Sequence, residues 1–450
     1  MTSMSASLPI LFPVHALDKI SQLPDDILLK VVSKLNIKDA VRMSILAKRW
    51  RYLWTWLTDL DFDHANFSPN NCYCRIPWEF RTTEYMNWVS QVVDAHRGAC
   101  IRKFRVVFYE EIDDPSQIEK WVLFAFSKRV EELDLHMDDI VCCAETQFSL
   151  GIDVLKHPRI NGIFNLKSLR ISTFDITAET LEFILSHCHL LKRLYVEDSE
   201  SLDCLHILSY TLKHLTLMRC VCLEEIEIDA VNLISFEFDA CSYDGIVFKN
   251  VPKLVEVGLA GNRFVCSYLS LKRFSGLLKQ LLKLSYSPLM GIHELGHSAE
   301  MNVVFPIVRQ LTLTVVSCNS EFITAFINAC PMLHELKLQV ERPISHSSLE
   351  EAAKQLQEIE LEDEGNDLMS IDQNPYSKLQ KRHLVNVIEC EKNENNTIHR
   401  PNLKVLEIVG VHGCDADIDC ALDIITSVNS FELLIWDPLT LYGRRKLLGM

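Results

Sequence analysis

The residues best suited to chemistry are His293, Glu294 and His297, spaced as H-E-x-x-H. On a helix, that spacing sets two imidazoles on one face as zinc ligands, with the carboxylate placed to activate a metal-bound water. The surrounding sequence does not supply such a helix. Pro288 and Gly291 lie just upstream, where an active-site helix would already have to run, and Gly296 weakens it from within. The long form of the pattern needs a glycine and a histidine where Glu300 and Val303 stand. A zinc hydrolase is the remote reading, and a surface loop the expected one. Cys72 and Cys74, Cys142 and Cys143, and Cys220 and Cys222 do not form paired C-x-x-C knuckles. With only 14 glycines there is no phosphate-cradling loop, and no nucleophile elbow is present. The acidic run from Glu358 to Asp367 reads as a solvated edge. No catalytic residue, metal site or cofactor is expected.

With chemistry set aside, composition points to binding. The chain has 450 residues, 48% of them hydrophobic, enough for more than one folding unit. A formal net charge of −16 argues against a nucleic-acid partner, which needs clustered lysine and arginine. No apolar run reaches the length of a membrane span, so no membrane partner is expected. The first residues lack a basic leader and are broken by Pro9 and Pro13, so no signal peptide is expected. The 16 cysteines then read as reduced thiols of a nuclear or cytoplasmic protein.

The segment from Asp18 to Trp54 is a compact helical block with more apolar surface than its own core can use. Pro24 suits a first helical position, and Asp25 and Asp26 sit at the positive end of the helix dipole. Ile27, Leu28, Val31, Val32 and Leu35 recur at helical spacing. Asn36 and Asp39 form a capping pattern for a second helix carrying Ala40, Val41, Ser44, Ile45 and Leu46. A third helix is predicted over Trp50, Leu53, Trp54 and Leu57. A block this small rarely stabilises itself, and tryptophan is common at binding hot spots.

This segment resembles an F-box of the plant type. The matching residues are Leu23-Pro24-Asp25-Asp26-Ile27-Leu28, Leu35, Lys38 to Arg42, Ser44-Ile45-Leu46, Lys48-Arg49-Trp50-Arg51 and Leu53-Trp54, followed by the exit Leu60-Asp61-Phe62-Asp63. Met43 and Ala47 stand where threonine and serine are more usual. The resemblance implies docking onto the Skp-type adaptor of a Skp–cullin–F-box ubiquitin ligase, and through it onto a cullin. The residues expected to carry that contact are Leu23, Pro24, Ile27, Leu28, Val31, Leu35, Leu46, Trp50, Leu53 and Trp54.

Behind the block the sequence repeats. The leucine-rich-repeat template L-x-x-L-x-L-x-x-N/C fits Leu212-Leu215-Leu217-Cys220, Leu233-Phe236-Phe238-Cys241 and Leu254-Val257-Leu259-Asn262, a period of 21 residues from 212 to 233 to 254. Weaker matches start at Ile101, Val130, Leu166 and Leu191 upstream, and at Leu281, Val308, Leu333, Leu356 and Leu403 downstream. Units about 25 residues apart leave room for a helix, predicted over Thr177 to Leu190 and Glu321 to Cys330. In the 21-residue stretch, Leu223 to Ile228 and Gly245 to Phe248 read instead as outer strands. The fold class is therefore α/β: a three-helix F-box, then a solenoid with a parallel inner sheet and a mixed helical and extended outer face. The expected boundaries are 1–17 flexible, 18–62 F-box, 63–100 joint, 101–361 solenoid, 362–400 polar inserted loop and 401–450 C-terminal end. That end, on Leu403 to Gly410, Gly413 and Trp436-Asp437-Pro438, resembles the FBD module of plant F-box proteins, although Ser430-Phe431-Glu432 departs from its usual pattern.

In such a solenoid the residues between template positions face outward on the concave side. Thr216, Glu237 and Gly258 share one slot in successive units, as do Thr312, Lys337 and Glu407, and this row is the expected contact for a protein substrate. The resemblance implies a non-catalytic substrate-recognition subunit of the ligase. The alternative is a repeat-based binding scaffold with no part in ubiquitination.

Overall fold

The computed structural model describes residues 20, 23–63, 78–108, 116–137, 149–157, 163–239, 245–261, 276–288, 303–315, 320–340, 402–409 and 433–437. The N-terminal block starts at Pro24, whose extended backbone (φ −56°, ψ 151°) makes it the cap of helix α1 (Asp25–Val32) rather than its first residue. Leu28 and Val32, four positions apart, are buried on one face of α1. Asn36 caps α2 (Ile37–Arg42) as its pattern predicts, its side-chain oxygen accepting the Asp39 N–H at 2.8 Å. The predicted third helix is not formed. In its place stands a 3₁₀ turn, Leu53–Trp56, closed by Thr55 N–H to Tyr52 O (3.1 Å) and Leu57 N–H to Trp54 O (3.2 Å). Two tryptophans flanking a β-branched threonine are poor helix formers, and four residues cannot propagate a helix.

The chain divides into two units, Met1–Leu233 with Gly245–Val251, and Ile234–Asp244 with Pro252–Met450. In the first, β1 (Asp59–Asp63) leaves the block and is followed by α3 (Trp78–Ala95), β2 (Lys103–Phe108), α4 (Ser116–Ser127), β3 (Glu132–Met137), the short β4 (Ser149–Leu150) and α5 (Ile152–Leu155). Next come β5 (Ser168–Ser172), β6 (Asp175–Ile176), α6 (Ala178–His187), β7 (Arg193–Glu197), β8 (Cys204–Leu208), β9 (His214–Met218) and β10 (Glu225–Asp229). After β11 (Ser235–Asp239) of the second unit, β12 (Gly245–Asn250) belongs again to the first. An inner parallel ladder runs β1-β2-β3-β5-β7-β9, and β8-β10-β12 form an outer parallel sheet. β10 and β12 are the two outer strands expected from the 21-residue spacing. Gly245 opens β12 against the backbone of Glu224, whose carbonyl oxygen would stand 1.7 Å from any Cβ there.

The second unit continues the same grammar with β13 (Glu256–Gly261), β14 (Lys283–Pro288), β15 (Gln310–Val315), α7 (Ser320–Ala329), β16 (Glu335–Val340), β17 (Val405–Val409) and β18 (Leu433–Asp437). From β11 onward these seven strands pair in parallel in that order. α6 and α7 fill the two connections where a helix is expected, and Thr177 caps α6 through the Thr180 N–H. Template positions are buried throughout, among them Leu215, Leu217, Phe236, Phe238, Leu311 and Leu313. Each repeat therefore buries its apolar side against its neighbours, as a solenoid requires.

β16 pairs directly with β17, Glu335 opposite Val405. The repeat match starting at Leu356, the segment 362–400 and the histidine motif at 293–297 lie outside the described residues. Among the described residues, no helix is long and apolar enough to cross a membrane.

Candidate functional site

The first candidate surface is the block ahead of β1. Its core consumes part of the apolar excess: Leu28 is 0% exposed, Trp50 4% and Leu53 8%. These three expected contact residues are therefore corrected to core positions: Leu28 lies on the buried face of α1, and Trp50 and Leu53 are buried just before and at the start of the 3₁₀ segment that packs on α1 and α2. Leu23, Val31, Leu35 and Leu46 are exposed, as is Pro24, while Ile27 and Trp54 are half-buried. The structure adds residues outside the expected contact set: Ile45 at 86% exposure, Tyr52 at 52% and Trp56 at 51%. Ile45 and Leu46 follow α2 in a tight turn, and both point away from the core. Arg49 closes the block by donating through Nε (3.0 Å) and Nη2 (2.7 Å) to one carboxylate oxygen of Asp25 at the start of α1.

The second candidate surface is the outward face of the inner strands. In the second unit the register places Glu237, Gly258, Ser285, Thr312, Lys337 and Glu407 side by side, so five of the six expected row residues form one line and Ser285 joins them. Lys337 Nζ donates to Glu407 Oε1 at 2.8 Å, so these two neutralise each other. Thr216 stands in the row of the first unit: Asp61, Arg105, Asp134, Arg170, Tyr195 and Thr216. Those first-unit residues were missed, although each occupies the slot that Thr216 defines when the template is counted from its own repeat.

The first-unit row is a charge lattice. Arg105 contacts Asp61 (2.9 Å), Asp63 (3.1 Å) and Asp134 (3.4 Å), and these carboxylates hold its pKa above the ordinary arginine value despite partial burial. Arg170 approaches Asp134 (3.8 Å) and Glu197 (3.9 Å) and lies over the Tyr195 ring at 4.1 Å. Burial raises the pKa of Asp134 more than the facing Arg170 and Arg105 lower it. Glu197 shows the opposite balance. Burial opposes its charge, but hydrogen bonds from Ser172 and Tyr195 and the Arg219 guanidinium outweigh it and leave its pKa lowered. Thr173, Asp198 and Arg219, each one residue past an inner strand, hold left-handed backbone with φ of 62°, 54° and 51°. Arg219 clamps Asp198 at 2.7 and 2.6 Å, and Asp198 N–H donates to Met218 O at 3.0 Å. These bonds offset the cost of that conformation, which is small for asparagine and aspartate but larger for a β-branched residue. Among the described residues, no group of three or more His, Cys, Asp and Glu is placed to hold a metal ion.

An apolar-rich helical block followed by leucine-patterned parallel strands is what the comparisons with known proteins also find. The F-box domain model matches residues 20–60, and the model described as At1g61320/AtMIF1, LRR domain, matches residues 154–371. The F-box/LRR-repeat protein At4g15060 of Arabidopsis thaliana is 32% identical over 302 residues, covering 58% of this chain and 68% of the relative. The chain belongs to the plant F-box/LRR-repeat proteins. The FBD-associated F-box protein At4g10400 of the same plant is 26% identical, covering 72% of this chain and 77% of the relative. The F-box/FBD/LRR-repeat protein At1g13570 is 29% identical, covering 54% of each. In this F-box/LRR-repeat protein the F-box match ends at residue 60, inside β1, so the F-box runs directly into the first rung of the repeat sheet.

Proposed function

We propose that this F-box/LRR-repeat protein is a substrate-recognition subunit of a Skp–cullin–F-box ubiquitin ligase, docking a Skp-type adaptor through its F-box and a protein substrate through the open face of its repeats. The observation that carries the reading is the exposure of Leu23, Val31, Leu35, Ile45, Leu46, Tyr52 and Trp56 on a block of about 40 residues. A monomer gains nothing by leaving this much apolar surface in water on so small a module, whereas a partner that covers it gains its burial. The chain itself breaks and makes no bonds. It raises the effective concentration of a captured protein beside a ubiquitin-conjugating enzyme and fixes its orientation. The substrate surface in this reading is the mixed-charge row Glu237, Gly258, Ser285, Thr312, Lys337 and Glu407, which suits a protein better than nucleic acid. Action in the nucleus or cytoplasm follows from the same reading.

The test is adaptor co-purification. Replacing Leu23 and Pro24 with alanine, or Ile45 and Leu46 with aspartate, is expected to reduce adaptor affinity at least about thirtyfold, the effect of losing one hot-spot anchor worth about 2 kcal/mol. Full binding by a folded double variant returns the protein to the class of repeat scaffolds outside ubiquitination.

A further inference from the structure

The F-box exit segment, residues 57–63, is gripped at two points, by a side chain of α3 and by one just past its end. Tyr85, fully buried on α3, sits with its hydroxyl 2.6 Å from Phe62 O and 3.1 Å from Val107 O. His96, one residue past the end of α3, places Nε2 2.9 Å from Leu57 O. The two side chains are eleven residues apart, about 16.5 Å along a helix, and project from nearly the same face. Leu57 and Phe62 are five residues apart, also about 16.5 Å along an extended strand. The helix and the exit segment therefore run antiparallel with matched spacing. Trp88, between the two grips, stands edge-on to Phe62 at 5.3 Å. Around the His96 grip, Arg97 N–H and Gly98 N–H donate to Thr55 O at 2.8 and 3.3 Å, and Arg102 N–H donates to Thr58 O at 2.7 Å. Gly98 leaves room for the imidazole, since a Cβ there would stand 2.8 Å from His96 Cε1.

We propose that Tyr85 and His96 are positioning residues that splint the F-box exit segment to α3, making the F-box and the first repeats one rigid body. Rigidity here sets the angle at which a captured protein faces the conjugating enzyme; that consequence rests on the proposed function, but the splint itself does not.

The experiment compares the full chain with Tyr85→Phe, His96→Gln and the double variant by amide hydrogen exchange. Phenylalanine keeps the packing of the ring and removes only the hydroxyl. Exchange of the amides at 57–63 and of Arg97 and Gly98 is expected to quicken about tenfold in Tyr85→Phe, the scale of one buried hydrogen bond, and further in the double variant. Amides of β5 and α6 are expected to keep their wild-type rates. Wild-type exchange at the joint in folded variants overturns the proposal, and so does an equal acceleration across the whole first unit, which would make both residues ordinary core. Should the double variant fail to fold, Tyr85→Phe decides alone. In an assembled ligase, the double variant is expected to bind adaptor with unchanged affinity and to spread ubiquitin over more of the chain's own lysines. An unchanged lysine pattern in a variant with a loosened joint overturns the orientational role. A wild-type chain that binds no adaptor defeats the proposed function and leaves the exchange test intact.

Discussion

Leu46 and Trp50 lie four positions apart in the F-box and do opposite work. Leu46 is 67% exposed and Trp50 is 4% exposed. Leu46→Ala is expected to change unfolding free energy by less than about 0.5 kcal/mol while weakening adaptor capture. Trp50→Ala is expected to cost about 3–5 kcal/mol and to lose capture only by unfolding the block. Denaturant unfolding followed alongside adaptor pull-down separates the two, and a stable Trp50→Ala that still fails to bind would return Trp50 to the interface. His96 provides a second residue-scale test. Burial pushes its pKa below 6.5, the bond to Leu57 O partly restores it, and Lys128 nearby lowers it again. Nδ1 is buried with no hydrogen-bond partner, so the neutral ring is the stable one. As pH falls past about 6.5 the unfolded chain takes up the proton first, and stability falls until the folded-state pKa is passed. Unfolding free energy measured from pH 8 to pH 5 is expected to drop more steeply in wild type than in His96→Gln. Parallel curves would show that the ring does not titrate this way.

At the scale of elements, the β16–β17 contact changes how the proposed substrate row must be probed. Reversing Lys337 to glutamate sets it against Glu407, breaking a half-buried pair. That is expected to cost about 1–2 kcal/mol before any substrate is considered. The swap Lys337→Glu with Glu407→Lys should recover stability lost in either single reversal. Chemical denaturation of the three variants checks this; a swap no better than the single would place the pair's contribution elsewhere. The row itself was readable because period-2 alternation inside a 21-residue repeat assigns every residue to a face and a slot. Counting from Leu212, Leu233 and Leu254 places Thr216, Glu237 and Gly258 together, and the strand register agrees for Glu237 and Gly258. Periodicity was weaker in the F-box, where it names an apolar face but not how much of it the turn after α2 will cover. That is why Leu28, Trp50 and Leu53 were read as contacts and Ile45 was not.

At the scale of the molecule, the first unit is continuous from F-box to β9, and its first rung is borrowed from the F-box. Asp59, Asp61 and Asp63 line β1, while Leu60 and Phe62 are fully buried beneath it. Seen as a boundary, β1 is a guarded edge: three carboxylates on a five-residue strand discourage any second chain from adding to the sheet. The strand behind it, Lys103–Phe108, holds Phe104 and Val106 fully buried, and its Lys103 and Arg105 are paired with the carboxylates of β1. A repeat fragment cut at residue 101 would bare that strand. It is expected to self-associate in size-exclusion chromatography, whereas a fragment starting at residue 57 should elute as a monomer. Equal monomeric behaviour of both would show that β1 gives no such protection. The practical border of a free-standing repeat domain therefore falls inside the F-box, a few residues before its matched end, and not after it.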